Sequence, residues 1–168
     1  SRLALLATPW HFHCANFSPF IPQATSSHAL QSWIAGQKTL PAWAIQSLFV
    51  FTDPWIFEQK FRRFASMKKD GKSAREFVAI ERWVNDGVDM TARVAEECLI
   101  GWAHYNNLMQ GAWQVANQTI RPQTLSLPTF MAIPKRDHIV PMDCALPLAK
   151  LLPHAKIIYP NTGHVSMI

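Results

Sequence analysis

Residues 125–168, LSLPTFMAIPKRDHIVPMDCALPLAKLLPHAKIIYPNTGHVSMI, decide the fold. Pro128-Thr129-Phe130-Met131-Ala132-Ile133 is a short apolar run without polar alternation, the pattern of a strand covered on both faces. It stops at Pro134 and empties into the charged loop Lys135-Arg136-Asp137-His138. Asp143 to Leu152 reads as a helix, and Ala155-Lys156-Ile157-Ile158-Tyr159 as a second strand, which empties into Asn161-Thr162-Gly163-His164. Two parallel strands joined by a helix form a right-handed crossover, so both strands end at the same edge of the sheet. Open α/β sheets carry their chemistry at that edge. Asp137 and His164 are therefore expected to face one crevice from neighbouring loops.

A weak nucleophile needs a base, and an imidazole base needs a buried carboxylate to hold its tautomer and stabilise its cation. In the α/β-hydrolase fold the order along the chain is nucleophile, acid, histidine, and Asp137 and His164 fit the last two places. The plainer reading is a solvated loop carboxylate and an ordinary turn at Gly163-His164. Placement at two successive strand ends argues for the catalytic reading.

Arg136-Asp137-His138-Ile139-Val140-Pro141, followed by Gly163-His164-Val165, resembles the acid and histidine motifs of polyhydroxyalkanoate synthases. Arg82-Trp83-Val84-Asn85-Asp86-Gly87 resembles a tryptophan-asparagine segment of that family, and Leu3 to Trp10 resembles the strand after its nucleophile region. The resemblance is spread over nearly all of the chain, and its most specific part is Asp137 to Pro141. It implies an α/β-hydrolase-fold acyltransferase that polymerises hydroxyacyl-CoA thioesters. Asp137 and His164 would be catalytic, Asp137 also helping to activate the substrate hydroxyl, with Trp83, Asn85 and His138 as candidate substrate-side residues. No cofactor or metal is implied beyond the coenzyme A of the substrate. The implied partners are the thioester and the growing polyester, with a granule surface and a second copy of the chain as further candidates. The family favours Asp where His11 stands, a departure that puts any role for that loop in doubt.

The composition agrees with a globular protein: of 168 residues, 49% are hydrophobic and 16% charged, too apolar for disorder. The formal charge of +5 is modest, and its densest basic stretch is Lys60 to Arg75, with Asp70 inside it and Glu58 and Glu76 beside it. That reads as a solvated helix face and argues against nucleic acid, since no binding motif accompanies it. Attraction to coenzyme A phosphates or to an anionic granule suits the charge equally. Cys14, Cys98 and Cys144 are odd in number and far apart, which argues against a disulfide framework and for a reducing cytoplasm. No apolar run is long enough for a membrane span, and Ser1-Arg2 opens no signal peptide.

Leu3-Ala4-Leu5-Leu6-Ala7 reads as a further, central parallel strand. His11-Phe12-His13-Cys14 invites a metal reading, but no second ligand pair closes a tetrahedron. Phe17 to Thr39 reads as irregular. Helices are expected over Pro41–Phe51; from Asp53-Pro54 towards Lys69; from a Ser73/Glu76 capping box to near Gly87; and from Thr91 to about Leu108. Phe57, Phe61 and Phe64, with Phe77, Ile80 and Val84, repeat at helical spacing and read as packing stripes. Ala112 to Ile120 suggests a hairpin arm, and Pro147 is awkward inside the helix after the acid loop.

The expected organisation is thus an α/β chain, a partial α/β-hydrolase fold. Residues 1–10 supply a core strand, 11–120 a helical cap insertion, and 121–168 the core with the acid and histidine loops. A nucleophile elbow needs two glycines flanking a Ser or Cys, and none of the six glycines is so placed. The resemblance implies a catalytic Cys upstream of Ser1, so the chain reads as the carboxyl-terminal part of a larger enzyme and as inert alone. Two other functions remain open: an esterase or polyester depolymerase on the same fold, and a non-catalytic granule-associated or scaffolding protein.

Overall fold

The computed structural model describes residues 1–15, 28–52 and 54–167. The chain forms two compact units, one comprising Ser1–Ser27 with Glu97–Ile168 and the other His28–Glu96.

The first unit is built on a parallel sheet of three strands, β1 (Leu3–Leu6), β6 (Thr129–Ala132) and β7 (Ala155–Ile158), in the order β1-β6-β7. Its register sets Leu3 against Thr129 and Thr129 against Ala155. The middle strand has two paired neighbours and is nearly all buried, as its unbroken apolar run requires. β1 and β7 alternate between half-buried and exposed residues instead. β1 is an edge strand of the described sheet. Among the described residues it pairs on one side only, which leaves Leu6 50% exposed. Ala7, at its end, takes a left-handed conformation with φ 45°, and its N–H still donates to Ala132 O at 2.9 Å.

Helix α6 (Met142–Leu151) makes the crossover from β6 to β7. Pro147 lies inside it without ending it, and the helix begins one residue before Asp143. Cys144, Ala145, Leu148 and Ala149 form its buried face and join Met131, Ile133 and Trp10 in one core. Trp113 stands edge-on to both Trp10 and Trp102, with centroids 6.1 and 5.3 Å away. The expected hairpin forms from β4 (Gln114–Val115) and β5 (Gln118–Thr119). Its two-residue turn holds Ala116 and Asn117 at positive φ, the conformation such turns demand.

Cys14 and Cys144 are joined by a disulfide. This corrects the expectation drawn from cysteine spacing, because separation along a chain says nothing about separation across a sheet. The loop after β1 lies on the first turn of α6, where Trp10 and His11 N–H both donate to Cys144 O at 2.9 and 3.0 Å.

The second unit is mainly helical: α1 (His28–Gly36), α2 (Ala42–Thr52), α3 (Pro54–Ala65) and α4 (Lys72–Asn85). Two short strands, β2 (Thr39–Leu40) and β3 (Met90–Thr91), pair antiparallel. Helix α1 corrects the irregular reading of that stretch; residues 16–27 and the cap expected at Asp53 lie outside the described residues. The Ser73/Glu76 capping box does not form. Helix α4 starts at Lys72 from Gly71, which places Ser73 inside the first turn without a capping bond. Phe64 stacks on Phe77 at 4.5 Å and Phe61 meets it edge-on at 6.2 Å, as the helical spacing implied. Ile80 and Val84 are exposed, however, so that end of the stripe is not packing. The helix expected from Thr91 begins as α5 (Ala92–Ala95) and widens into a π-helical stretch, Glu96–His104. There Tyr105 N–H donates to Ile100 O, five residues back. No helix among the described residues is long and apolar enough to cross a membrane.

Candidate active site

The pairing of β6 with β7 does not stop where the strands do. Beyond Ala132 and Ile158 the two chains remain zipped by Ile133 N–H to Ile158 O, Lys135 N–H to Pro160 O and Arg136 N–H to Thr162 O, at 2.9 to 3.0 Å. The Arg136 guanidinium adds a bond to Asn161 O at 2.6 Å. The register that sets Ala132 beside Ile158 is thereby carried outward until Asp137 and His164 stand side by side. His164 Nδ1 lies 2.8 Å from Asp137 Oδ2. A carboxylate can only accept, so Nδ1 carries a proton, and in the neutral ring Nε2 is then the nitrogen with the lone pair.

The carboxylate is held as firmly as its partner. Asp137 Oδ1 accepts from the backbone N–H groups of Ile139 at 2.9 Å and Val140 at 2.8 Å, an Asx-type turn. Its side chain is fully buried while that of His164 is 36% exposed, so one end of the pair is shielded and the other reaches the surface. Burial by itself would raise the pKa of Asp137. The hydrogen bond from His164 and those from Val140 and Ile139, with the attraction of the imidazole, outweigh it and hold the carboxyl below its usual value. Gly163 N–H donates to Ser166 Oγ at 3.0 Å, which pins the turn presenting His164. A Cβ on Gly163 would come within 3.4 Å of Arg136 O, so the residue suits the close approach of the two loops.

An oriented imidazole with a free Nε2 and a buried counter-charge can take and return a proton. Among the described residues no Ser or Cys hydroxyl or thiol bonds to Nε2. The other expected site residues are placed as follows. His138 is exposed in the acid loop, one residue past Asp137. Trp83, 62% exposed, and Asn85 belong to the last turn of α4 in the second unit. Asn85 Nδ2 donates to Glu81 O at 2.7 Å, a local bond at the helix end. His13 Nε2 lies near Ala103 O and His104 O at 3.1 and 2.9 Å, while Cys14 is in its disulfide. Sequence reasoning missed the backbone cradle of Ile139 and Val140, which Asp followed by a short turn could have suggested. It also missed Ser166, for which two residues' separation from His164 is the only signal.

No protein-family model matches the chain. It is similar to three poly(3-hydroxyalkanoate) polymerase subunits. The one from Haloferax mediterranei is 23% identical over 122 residues, 71% of this chain and 25% of that protein. Those from Haloarcula marismortui and Allochromatium vinosum are 21% and 20% identical, over 76% and 74% of this chain. The chain spans 25% to 35% of the length of these curated relatives. The distant, partial match over about three quarters of the chain supports a family like that of the poly(3-hydroxyalkanoate) polymerase subunits.

Proposed function

We propose that the chain carries the acid and the histidine of an α/β-hydrolase-type acyltransferase that polymerises 3-hydroxyacyl-CoA. The nucleophile is a cysteine thiol supplied from outside residues 1–168. His164 Nε2 takes the thiol proton, and the thiolate attacks the thioester carbonyl. The C–S bond to coenzyme A breaks, and the departing thiolate receives the proton back from His164. His164 then takes the proton of a hydroxyl on the next unit; the alkoxide attacks the enzyme thioester, forms the ester bond and releases the cysteine, which is reprotonated. Asp137 holds the ring and balances its transient charge, and lends its carboxylate to the hydroxyl step. Substrate, polyester and a granule-side location follow from this reading, with Trp83, Asn85 and His138 as its candidate substrate residues; the Cys14–Cys144 disulfide removes the thiol argument for a reducing cytoplasm.

The observation that supports it best is the 2.8 Å contact between His164 Nδ1 and the buried Asp137, built by neighbouring parallel strands. The test is release of coenzyme A from 3-hydroxybutyryl-CoA by the complete enzyme. His164→Ala and Asp137→Asn are each expected to lower turnover on the order of a thousandfold. Near wild-type turnover in either variant, with the helix signal intact, would remove the assignment.

A further inference from the structure

The second unit holds a pocket of about 310 Å³ between α3 and α4, and its walls are unusually cationic. Phe64, Ala74 and Val78 form its apolar part, and Lys69, Arg75 and Arg82 supply three positive charges. Arg75, Val78 and Arg82 follow one another at helical spacing on α4, so the two arginines stand about two turns, roughly 10 Å, apart along one face. Lys69 belongs to the turn that leads from α3 into α4. The Arg75 guanidinium is anchored by a bond from Nη1 to Asp70 O at 2.7 Å.

Acidic side chains on the same helices do not neutralise this group. Glu81 is engaged by Lys60 at 2.7 Å, Glu76 by Lys72 at 3.6 Å, and Glu58 by Arg62. Among the described residues Lys69, Arg75 and Arg82 have no carboxylate partner. Three like charges around one concavity repel each other, and a ligand of opposite charge relieves that repulsion. Guanidinium forks paired with an ammonium match a tetrahedral oxyanion of more than one charge better than they match a single carboxylate.

We propose that this pocket is a binding site for the phosphate group of a small molecule. The proposal does not depend on the chemistry assigned to Asp137 and His164, and it holds whether or not the chain is part of a polymerase. The phosphate belongs to a free phosphate or nucleotide-like compound. A phospholipid headgroup presents the same chemistry and is separated by experiment.

Inorganic pyrophosphate is titrated calorimetrically into the protein at low ionic strength. Saturable one-to-one binding is expected. Arg75→Gln and Arg82→Gln should each weaken it roughly fivefold, the scale of one exposed charge pair. Lys38→Gln, an exposed residue of the same unit outside the pocket, removes equal charge and should leave the affinity unchanged. Far-UV circular dichroism confirms that each variant retains its helices. Absence of saturable binding, or equal weakening by Lys38→Gln, would overturn the site. Sedimentation with phosphatidylglycerol vesicles that pyrophosphate cannot compete would overturn the small-molecule assignment.

Discussion

Asp137 divides its two carboxylate oxygens between its own loop and His164: Oδ1 binds the N–H groups of Ile139 and Val140, and Oδ2 binds the imidazole at 2.8 Å. The oxygen that shapes the loop and the oxygen that orients the ring sit on one rigid group. Loop conformation and ring orientation are therefore coupled, and a change at either end is felt at the other.

That coupling predicts an acid limb. The native pKa of Asp137 lies below its unfolded value, so its contribution to stability is present above about pH 4 and is lost as pH falls through the depressed native value. Urea unfolding from pH 6 downward should show this loss in the wild type. Asp137→Asn cannot titrate and should lack that component of the slope.

Truncation gives the complementary measure. Asp137→Ala leaves one buried and one part-buried backbone donor and the imidazole without their acceptor, a loss expected at about 2–3 kcal/mol in denaturant midpoint experiments. His164→Ala, at a partly exposed position, should cost about 1 kcal/mol or less in the same assay. It removes the leading interaction that lowers Asp137 while burial persists. The carboxyl pKa, followed by ¹³C NMR, should rise.

Thiol counting checks the link between the loop after β1 and α6. Denatured without reductant, the protein should offer one reactive thiol, Cys98, and three after reduction. In the native state Cys98 should react slowly, because burial and then the neighbouring Glu97 push its pKa up. Cys14→Ser closes no loop across the 130-residue separation and should lose stability, up to about 5 kcal/mol in the chain-entropy limit.

Position in the sheet decides the cost of apolar truncation. Met131, fully buried in the middle strand, should lose about 2–5 kcal/mol on change to Ala. Ile158, 39% exposed on β7, should lose clearly less. Equal costs in thermal and urea unfolding would contradict the order β1-β6-β7.

The strand–helix–strand unit around the acid loop was legible because its cues are local. An unbroken apolar run means two covered faces, and Pro134 and Pro160 end the strands where the loops begin. That Asp137 and His164 leave the sheet at one edge followed from two parallel strands joined by a crossover helix. Failures came where a local cue competed with packing. Ser73 and Glu76 carry a cap pattern, yet the chain enters α4 earlier from Gly71. Ile80 and Val84 carry a core pattern, yet they stay 46% and 44% exposed.

The sequence by itself determined the parallel α/β character of the carboxyl-terminal segment and the edge at which Asp137 and His164 emerge. Those depend on backbone sterics and on side-chain periods of two and 3.6, which every residue window displays. Only the tertiary structure decided that the two groups meet at hydrogen-bond distance, that Asp137 is anchored by Ile139 and Val140, and that Cys14 reaches Cys144. Each of those is a contact between residues whose distance is set by register and packing, and no local pattern encodes such a distance.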